Sequence, residues 1–402
     1  MRPTLGKVLA ARRTWEIVAR VWPAVSKLRA TEENIESYLT RAPAAWAQRA
    51  EAAVDLAKSD RLLGKGLLTL GLLAMAGPAG ADYSKHPRAQ ALYAALQSEH
   101  GFSAADIDSV RVALIDAQTI PSLIEAEQKA PERTETWTVY SAKRVDALRI
   151  RRGAQFIHDN RALLDRAETE YGVPGPVIAG VLGLETNFGR FTGNARVLDA
   201  LATQGFDHPT RSKFFFEELE QYFVFCRDFG FPPTQPKGSY AGAMGWAQFM
   251  PSNYRRLAVD FDGDGRRDLW SAADAIGSIA HYFIDYKPEL RWHRGEPLIV
   301  PAKLTRPLPG TIAVNTKNVG YTVAQLRSAG VEPSARLPAN LAVGLIELQL
   351  DPGGTTDKEY WIGLPNFYSV MSYNPRVYYA MTVSRLASAM ATEAAKLDPD
   401  TQ

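Results

Sequence analysis

The chain has 402 residues, 46% hydrophobic and 22% charged, the profile of a soluble globular protein with room for two or three domains. A formal net charge of +2 gives no argument for nucleic acid. The single cysteine, Cys226, excludes an internal disulfide and, set among aromatics in EQYFVFCRDFG, is expected to be a buried small hydrophobe.

Residues 1–60 are rich in Ala and Arg at helical spacing. The stretch RLLGKGLLTLGLLAMAGPAGADYS follows, with Arg61 and Lys65 ahead of an uncharged run from Gly66 to Ala81. That run ends in Ala79-Gly80-Ala81, the pattern of a secretory signal over 61–81. It is short of the roughly 20 residues that span a bilayer, which argues against an uncleaved anchor. Leucines on all faces argue against a buried core helix. Signals stand at the N-terminus, so residues 1–60 are expected to be an overextended start, with translation beginning nearer the signal. Val54 is a candidate if its codon is GTG. The mature chain is expected to begin near Asp82, and no cysteine at the cleavage site points to a lipoprotein.

From 82 to 150 the spacing predicts helices, one of them AADIDSVRVAL with Ser103 as N-cap. Residues 138–170 read as charged helix stopping at Gly172. Pro174 then opens PGPVIAGVLGLETNFG, lined by Val177, Ile178, Val181, Leu182 and Leu184, with Gly189 as its stop. RSKFFFEELEQYFVFCRDFG reads as one amphipathic helix. Between 291 and 365 the runs EPLIVPAKL, GYTVAQLRSAG, LAVGLIELQL and EYWIGL are short and β-like, broken by Pro and Gly. Helical character returns at YNPRVYYAMTVSRLASAMATEAAKL. These elements predict an α+β chain, mainly α. It comprises an N-terminal helical part (82–150), a core (151–290), a small inserted β-rich subdomain (291–365) and a C-terminal helix returning to the core (366–402).

Glu185 in GLETNFGR falls near a helix C-terminus among apolar neighbours. The dipole there and burial both raise a carboxyl pKa, as a general acid needs, although a Glu at a helix end is commonly solvated surface. GSYAGAMGWAQFMPSNY, residues 238–254, sets small residues among Trp246, Phe249 and Met250. Small residues let a chain pass close to a ligand, flat rings suit sugars, and Gln248 can donate and accept; a tight turn before a core helix is the plainer reading. VDFDGDGRRDLW, residues 259–270, begins like an EF-hand loop, with Asp260, Asp262 and Asp264 at positions 1, 3 and 5 and Gly265 at the turn. Position 12 is Ser271 and not the usual Glu, which leaves a cation site with a different closing ligand or a simple acidic turn.

GLETNFGR, GSYAGAMGWAQFMPSNYRRLAVDFDGDGRRDLW, DAIGSIAHYF and YNPRVYYAM, in that order, closely resemble the family B lytic murein transglycosylases over about residues 84 to 390. The resemblance implies a lysozyme-like catalytic core over 151–290. It also implies cleavage of the β-1,4 bond between N-acetylmuramic acid and N-acetylglucosamine, leaving a 1,6-anhydromuramoyl end. Carried over by motif position, Glu185 is the single acid/base. Ser239 orients carboxyl and substrate; Gln248, Tyr282, Tyr373 and Asn374 line the glycan cleft; Tyr379 supports Glu185; and Tyr140 is a further cleft residue. The resemblance also implies a structural Ca2+, replaceable by Na+. Its ligands are Asp260, Asp262, Asp264, the Arg266 carbonyl and Asp274 as closing carboxylate. Peptidoglycan strands are the expected partner, with other cell-wall enzymes as further candidates and nucleic acid excluded, for a monomer in the periplasm of a Gram-negative bacterium. A hydrolytic muramidase and a non-catalytic, calcium-stabilised wall-binding protein are the competing readings.

Overall fold

The computed structural model describes residues 82–120, 123, 135–351 and 357–397, so the expected signal at 61–81 and the expected overextended start at 1–60 lie outside the described residues. Two helices, α1 (Ala89–Ser98) and α2 (Ala104–Asp116), open the described part. Ser103 caps α2 as expected: its hydroxyl accepts from Asp106 N, and the Asp106 carboxylate accepts from Ser103 N. The charged stretch 138–170 is three helices: α3 (Trp137–Ala142), α4 (Ala147–Asp159) and α5 (Arg161–Tyr171). Asp146 starts α4 by accepting from two backbone N–H groups, and Asn160 interrupts the run with a non-helical ψ of 22°. Gly172, at φ 78°, closes α5 in the left-handed conformation that glycine adopts cheaply.

Helix α6 (Gly175–Glu185) is apolar on every face and buries Val177, Ile178, Val181 and Leu182, each worth about 1.5–3 kcal/mol on leaving water. Behind it, α7 (Val197–Asp207) and α8 (Ser212–Phe229) form a hairpin, and Gly230 ends α8 at φ 73°. Cys226 lies buried on α8, where desolvation pushes its thiol up to about 12, an inert small apolar group. Strands β1 (Ala195–Arg196) and β2 (Lys237–Gly238) pair Ala195 with Gly238 and tie the glycine-rich block to the start of α7. Helices α9 (Pro251–Leu257) and α10 (Ala272–Asp285) flank the acidic loop.

The β-rich part is an antiparallel sheet of β3 (Ile299–Leu304), β4 (Tyr321–Thr322), β5 (Val331–Pro333), β6 (Ala342–Gln349) and β7 (Lys358–Gly363), in the order β4-β6-β7-β3-β5. Val300, Val343, Leu345 and Ile362 make a small core of its own with α11 (Val323–Ser328). GYTVAQLRSAG is therefore strand for two residues only. Thr322 and Gln325 form a capping box, and this local helix signal outweighs the β propensity of Tyr, Thr and Val. The expected single C-terminal helix is two, α12 (Pro365–Tyr373) and α13 (Val377–Ala394), because Pro375 cannot continue the first. No helix among the described residues is long and apolar enough to cross a membrane.

The crossing of α6 and α13 sets the position of Glu185. A Cβ on Gly180 would stand 3.0 Å from the Val383 carbonyl oxygen, and one on Gly153 of α4 would overlap Met390. Glycine lets the three backbones approach. Gly180→Val is expected to cost about 1–3 kcal/mol through overpacking and to lower the urea midpoint accordingly. An unchanged midpoint would show that α13 is not packed against α6 at this point.

Candidate active site

Glu185 is the last residue of α6, where the negative helix end and an apolar surround both disfavour a carboxylate. Desolvation is the larger cause and pushes its carboxyl up to about 7; a hydrogen bond from Tyr379 pulls the other way. Tyr379, buried on α13, donates its hydroxyl to Glu185 Oε1 at 2.6 Å.

The chain leaves α6 through Asn187, Phe188 and Gly189, at φ 49°, 59° and 77°, three left-handed residues in a row. For Asn and Phe that is an expensive conformation and must be held by its surroundings. Thr186 holds it. Its buried hydroxyl donates to the Trp246 carbonyl at 3.1 Å and accepts from Gly189 N at 3.0 Å. A Cβ on Gly189 would lie 2.1 Å from the Trp246 ring. Trp246 thus backs the Glu185 turn instead of offering a sugar platform, and Phe249 is buried. Thr186 carries no motif signal beyond its place beside Glu185, so it escaped the sequence reading.

In the glycine-rich block Ser239 Oγ accepts from Ala243 N at 3.1 Å and Ala241 N at 3.3 Å, which leaves its hydrogen for an acceptor in the cleft. Gln248, at φ 51°, spends its amide nitrogen on the carbonyls of Gly245 and Thr192, at 2.8 and 3.1 Å. Its amide oxygen is the group open to a ligand. The tyrosines form a continuous layer: Tyr282 stacks on Tyr286 at 4.4 Å and meets Tyr373 at 4.7 Å. Tyr282 donates to the Ser372 carbonyl at 2.8 Å, and Tyr373 donates to the Ala247 carbonyl.

Glu185, Ser239, Gln248, Tyr282, Tyr373 and Asn374 line one open cleft of about 1320 Å3, with Tyr379 immediately behind Glu185. Tyr140 does not belong to it. Its ring lies buried between Trp137 and Tyr378, with the Arg144 guanidinium 3.6 Å from its centroid. An aromatic on a short helix serves core or cleft equally well by sequence, and here α3 turns it inward. The cleft also holds groups the motifs did not single out. Among them is Glu218 of α8, which accepts from Ser252 N at 3.0 Å and Ser252 Oγ at 2.6 Å and whose burial raises its carboxyl. Arg255, Arg256, Lys287 and Lys317 line it as well.

The acidic loop brings Asp260, Asp262 and Asp274 together, one oxygen of each within 4.8 Å of the others. Asp260 accepts from the N–H groups of Gly263, Asp264 and Gly265, and buried Asp274 accepts from Phe261 N and Asp268 N at 2.6 Å each. Burial, then the charges of Asp262 and Asp260, raise the Asp274 carboxyl. Asp264 lies outside this group of three: its Oδ1 accepts from Arg266 N at 2.8 Å. Each gathered carboxylate keeps lone pairs beyond those given to the backbone, so the donor set fits a hard, oxygen-seeking cation.

An acid held neutral in an apolar pocket at the floor of a long cleft, within a mainly helical fold, is the anatomy of a lysozyme-like enzyme. A family model described as Transglycosylase SLT domain matches residues 84–388. The membrane-bound lytic murein transglycosylase B of Escherichia coli strain K12 is 37% identical over 322 residues, covering 78% of this chain and 85% of that protein. The lytic transglycosylase SltB1 of Pseudomonas aeruginosa superposes with a TM-score of 0.71 at 36% identity, over 78% of this chain and 100% of that one. A lytic transglycosylase of Escherichia coli in complex with calcium gives 0.69 at 36% identity, over 80% and 97%. SltB3 of Pseudomonas aeruginosa, in complex with NAG-NAM-pentapeptide, gives 0.62 at 27% identity, over 76% and 79%. The chain belongs to the family B lytic murein transglycosylases and shares their lysozyme-like, mainly helical α+β fold.

Tyr379→Phe removes the one hydrogen bond that lowers the Glu185 pKa, so the high-pH limb of the activity profile should move upward. A pH series of murein solubilisation checks it, and a limb that stays or falls would detach Tyr379 from the titration.

Proposed function

We propose that this enzyme cleaves the β-1,4 bond between N-acetylmuramic acid and N-acetylglucosamine and leaves a 1,6-anhydromuramoyl end, with Glu185 as sole acid and base. The observation that carries this reading is the isolation of Glu185, its carboxyl near neutrality at about 7 and gripped by Tyr379. Protonated Glu185 gives its proton to the leaving glycosidic oxygen, while the acetamide of the muramic acid stabilises C1, as in substrate-assisted glycosidases. The Glu185 carboxylate then takes the proton of the C6 hydroxyl as that oxygen bonds to C1. The nucleophile is already part of the sugar, so proximity supplies much of the acceleration. Ser239, with its free hydroxyl hydrogen, orients the substrate; Gln248, Tyr282, Tyr373 and Asn374 hold the glycan. A hydrolytic muramidase would need a second carboxylate holding water opposite Glu185. Glu218, the other carboxylate of the cleft lining among the described residues, is spent on Ser252.

The acidic loop fits Ca2+, or Na+ in its place, with Asp260, Asp262 and Asp274 as the gathered ligands; the Arg266 carbonyl and Asp264 would complete the set. The ion would supply charge balance to three carboxylates that repel one another. Phe261 of that loop is pinned to α5 by Arg166, whose Nη1 donates to its carbonyl at 2.7 Å, and this anchoring supports a structural role for the ion. A murein substrate and the signal-like pattern of the sequence at 61–81 support a periplasmic location.

Glu185→Gln should lower turnover at least 100-fold, since an amide cannot deliver and reclaim the proton. Mass spectrometry of products from purified sacculi decides the chemistry: anhydro ends support the reading, and hydrated reducing ends overturn it. The stability signature has a definite sign. The folded-state pKa of Glu185 is raised from the ordinary 4.5, so its contribution is full below about pH 4.5 and lost as pH rises through about 7. Glu185→Gln should therefore melt above the wild type at pH 8, with the gap closing by pH 4.5. Millimolar Ca2+ should raise the Tm over an EDTA-treated sample, and Asp262→Ala should lose most of that increment. A Tm indifferent to both additions would return the loop to an acidic turn.

A further inference from the structure

Glu218 lines the cleft, is buried on α8 and takes no part in the proposed chemistry. It has no cation as partner among the described residues, and burial raises its carboxyl. An apolar side chain would fill the same space more cheaply if only packing were at stake. What Glu218 holds is Ser252: Oε2 accepts from Ser252 N at 3.0 Å and Oε1 from Ser252 Oγ at 2.6 Å. Those donors need an acceptor from elsewhere, because Met250, the N-cap of α9, makes no side-chain cap and Pro251 follows it. The start of α9 is therefore fastened to α8 through Glu218. Arg255 ties the two helices again, to Gln221 and to Asp228 at 3.4 Å, but three residues further on.

The chain just ahead of Ser252 is strained. Gln248 stands at φ 51°, a conformation that an L-residue keeps only where its surroundings over-determine it. Upstream the restraint is plain. Met244 N donates to the Phe249 carbonyl at 2.8 Å and Phe249 N to the Met244 carbonyl at 3.1 Å, which closes the loop around Gln248. Trp246 N donates to the Leu269 carbonyl at 2.7 Å and pins the loop from outside. Downstream, only Met250 and Pro251 separate Phe249 from Ser252. The Glu218 clasp is thus the restraint on that side. Met250, Ser252 and Asn253 line the cleft together with Gln248, so a shift at Ser252 is passed directly to this wall.

We propose that Glu218 is a positioning residue: by grasping Ser252 it keeps Gln248 in its left-handed conformation, with the amide oxygen turned to the glycan. This goes beyond the proposed function and rests on it through the glycan contact of Gln248. The clasp works by shape and not by charge. The side chain of Glu218→Gln can still accept from Ser252 N and can donate to Ser252 Oγ, a hydroxyl that accepts as well as it donates. Glu218→Ala leaves both Ser252 donors without their acceptor.

The test is a set of steady-state measurements on soluble murein glycan strands, with products counted by mass spectrometry. Glu218→Ala is expected to raise KM roughly five- to tenfold, the worth of one hydrogen bond to the substrate, with kcat within about twofold of the wild type. Glu218→Gln should return KM to within about twofold. In the background of Gln248→Ala the group being positioned is gone, so adding Glu218→Ala should leave KM where Gln248→Ala alone puts it. A merely structural role would add the same penalty in both backgrounds. Should Glu218→Ala fail to fold, Ser252→Ala removes one of the two bonds and is expected to raise KM about two- to threefold, again only while Gln248 is present. An unchanged KM in the single variants, a loss confined to kcat, no rescue by Glu218→Gln, or additive effects with Gln248→Ala would each overturn the proposal. All of these leave the anhydro product in place, whereas failure of the lytic reading would show as hydrated ends, or no cleavage, in the wild type.

Discussion

The hydrogen bond between Tyr379 and Glu185 is the contact around which the molecule is organised. It joins the end of one apolar helix to the first turn of another that lies almost two hundred residues further along the chain. A carboxyl can sit there only if packing excludes water and a donor of the right kind waits in place. The glycines of α4 and α6 let α13 come close enough to present that donor. The left-handed turn after Glu185, held by Thr186 and filled by Trp246, prevents the helix from running on and covering the carboxyl. Much of the unusual backbone in this protein is explained by keeping one proton in one place.

The tyrosines extend that logic outward. Each of Tyr282, Tyr373 and Tyr379 points its hydroxyl at a specific acceptor, and burial drives all three phenols above their ordinary range, so they stay neutral donors across any pH at which the fold survives. The layer is thus electrically quiet. The positive charge of the cleft is confined to its margins, where long, solvated side chains can adapt to a ligand without disturbing the acid.

Some of this was legible in the residues alone, for reasons that can be named. Glu185 stood out because its helix neighbours are apolar and because GLETNFGR stands in order with the glycine-rich block; alone, a Glu at a helix end reads as solvated surface. Ser103 and Gly172 were legible because cap chemistry is local. Tyr140 and Trp246 were misplaced because a ring at helical or loop spacing says nothing of which side is core. The division of 138–170 into three helices depends on Asn160 and Asp146, whose polar side chains serve solvent-facing helix as readily as its ends. The helix hidden in GYTVAQLRSAG was missed because the β propensity of Tyr, Thr and Val masks the local signal of Thr322 and Gln325. Arg256, Lys287 and Lys317 fall in segments far apart along the chain, and only the fold makes them neighbours.

The β-rich part leaves and rejoins the helical body through a single gate. Ile299 pairs with Gly363, and Leu364 N donates to the Leu298 carbonyl at 2.9 Å, so entry and exit lie side by side. A module inserted at such a gate can be lengthened, shortened or exchanged at little entropic cost to its host, because its ends are already closed. Helices α10 and α12, which carry the tyrosine layer, stand on either side of that gate. The insert is therefore an outer wall joined to its host at one closed pair of ends: a change of length or make-up within it leaves the packing around Glu185 and the tyrosine layer where it is.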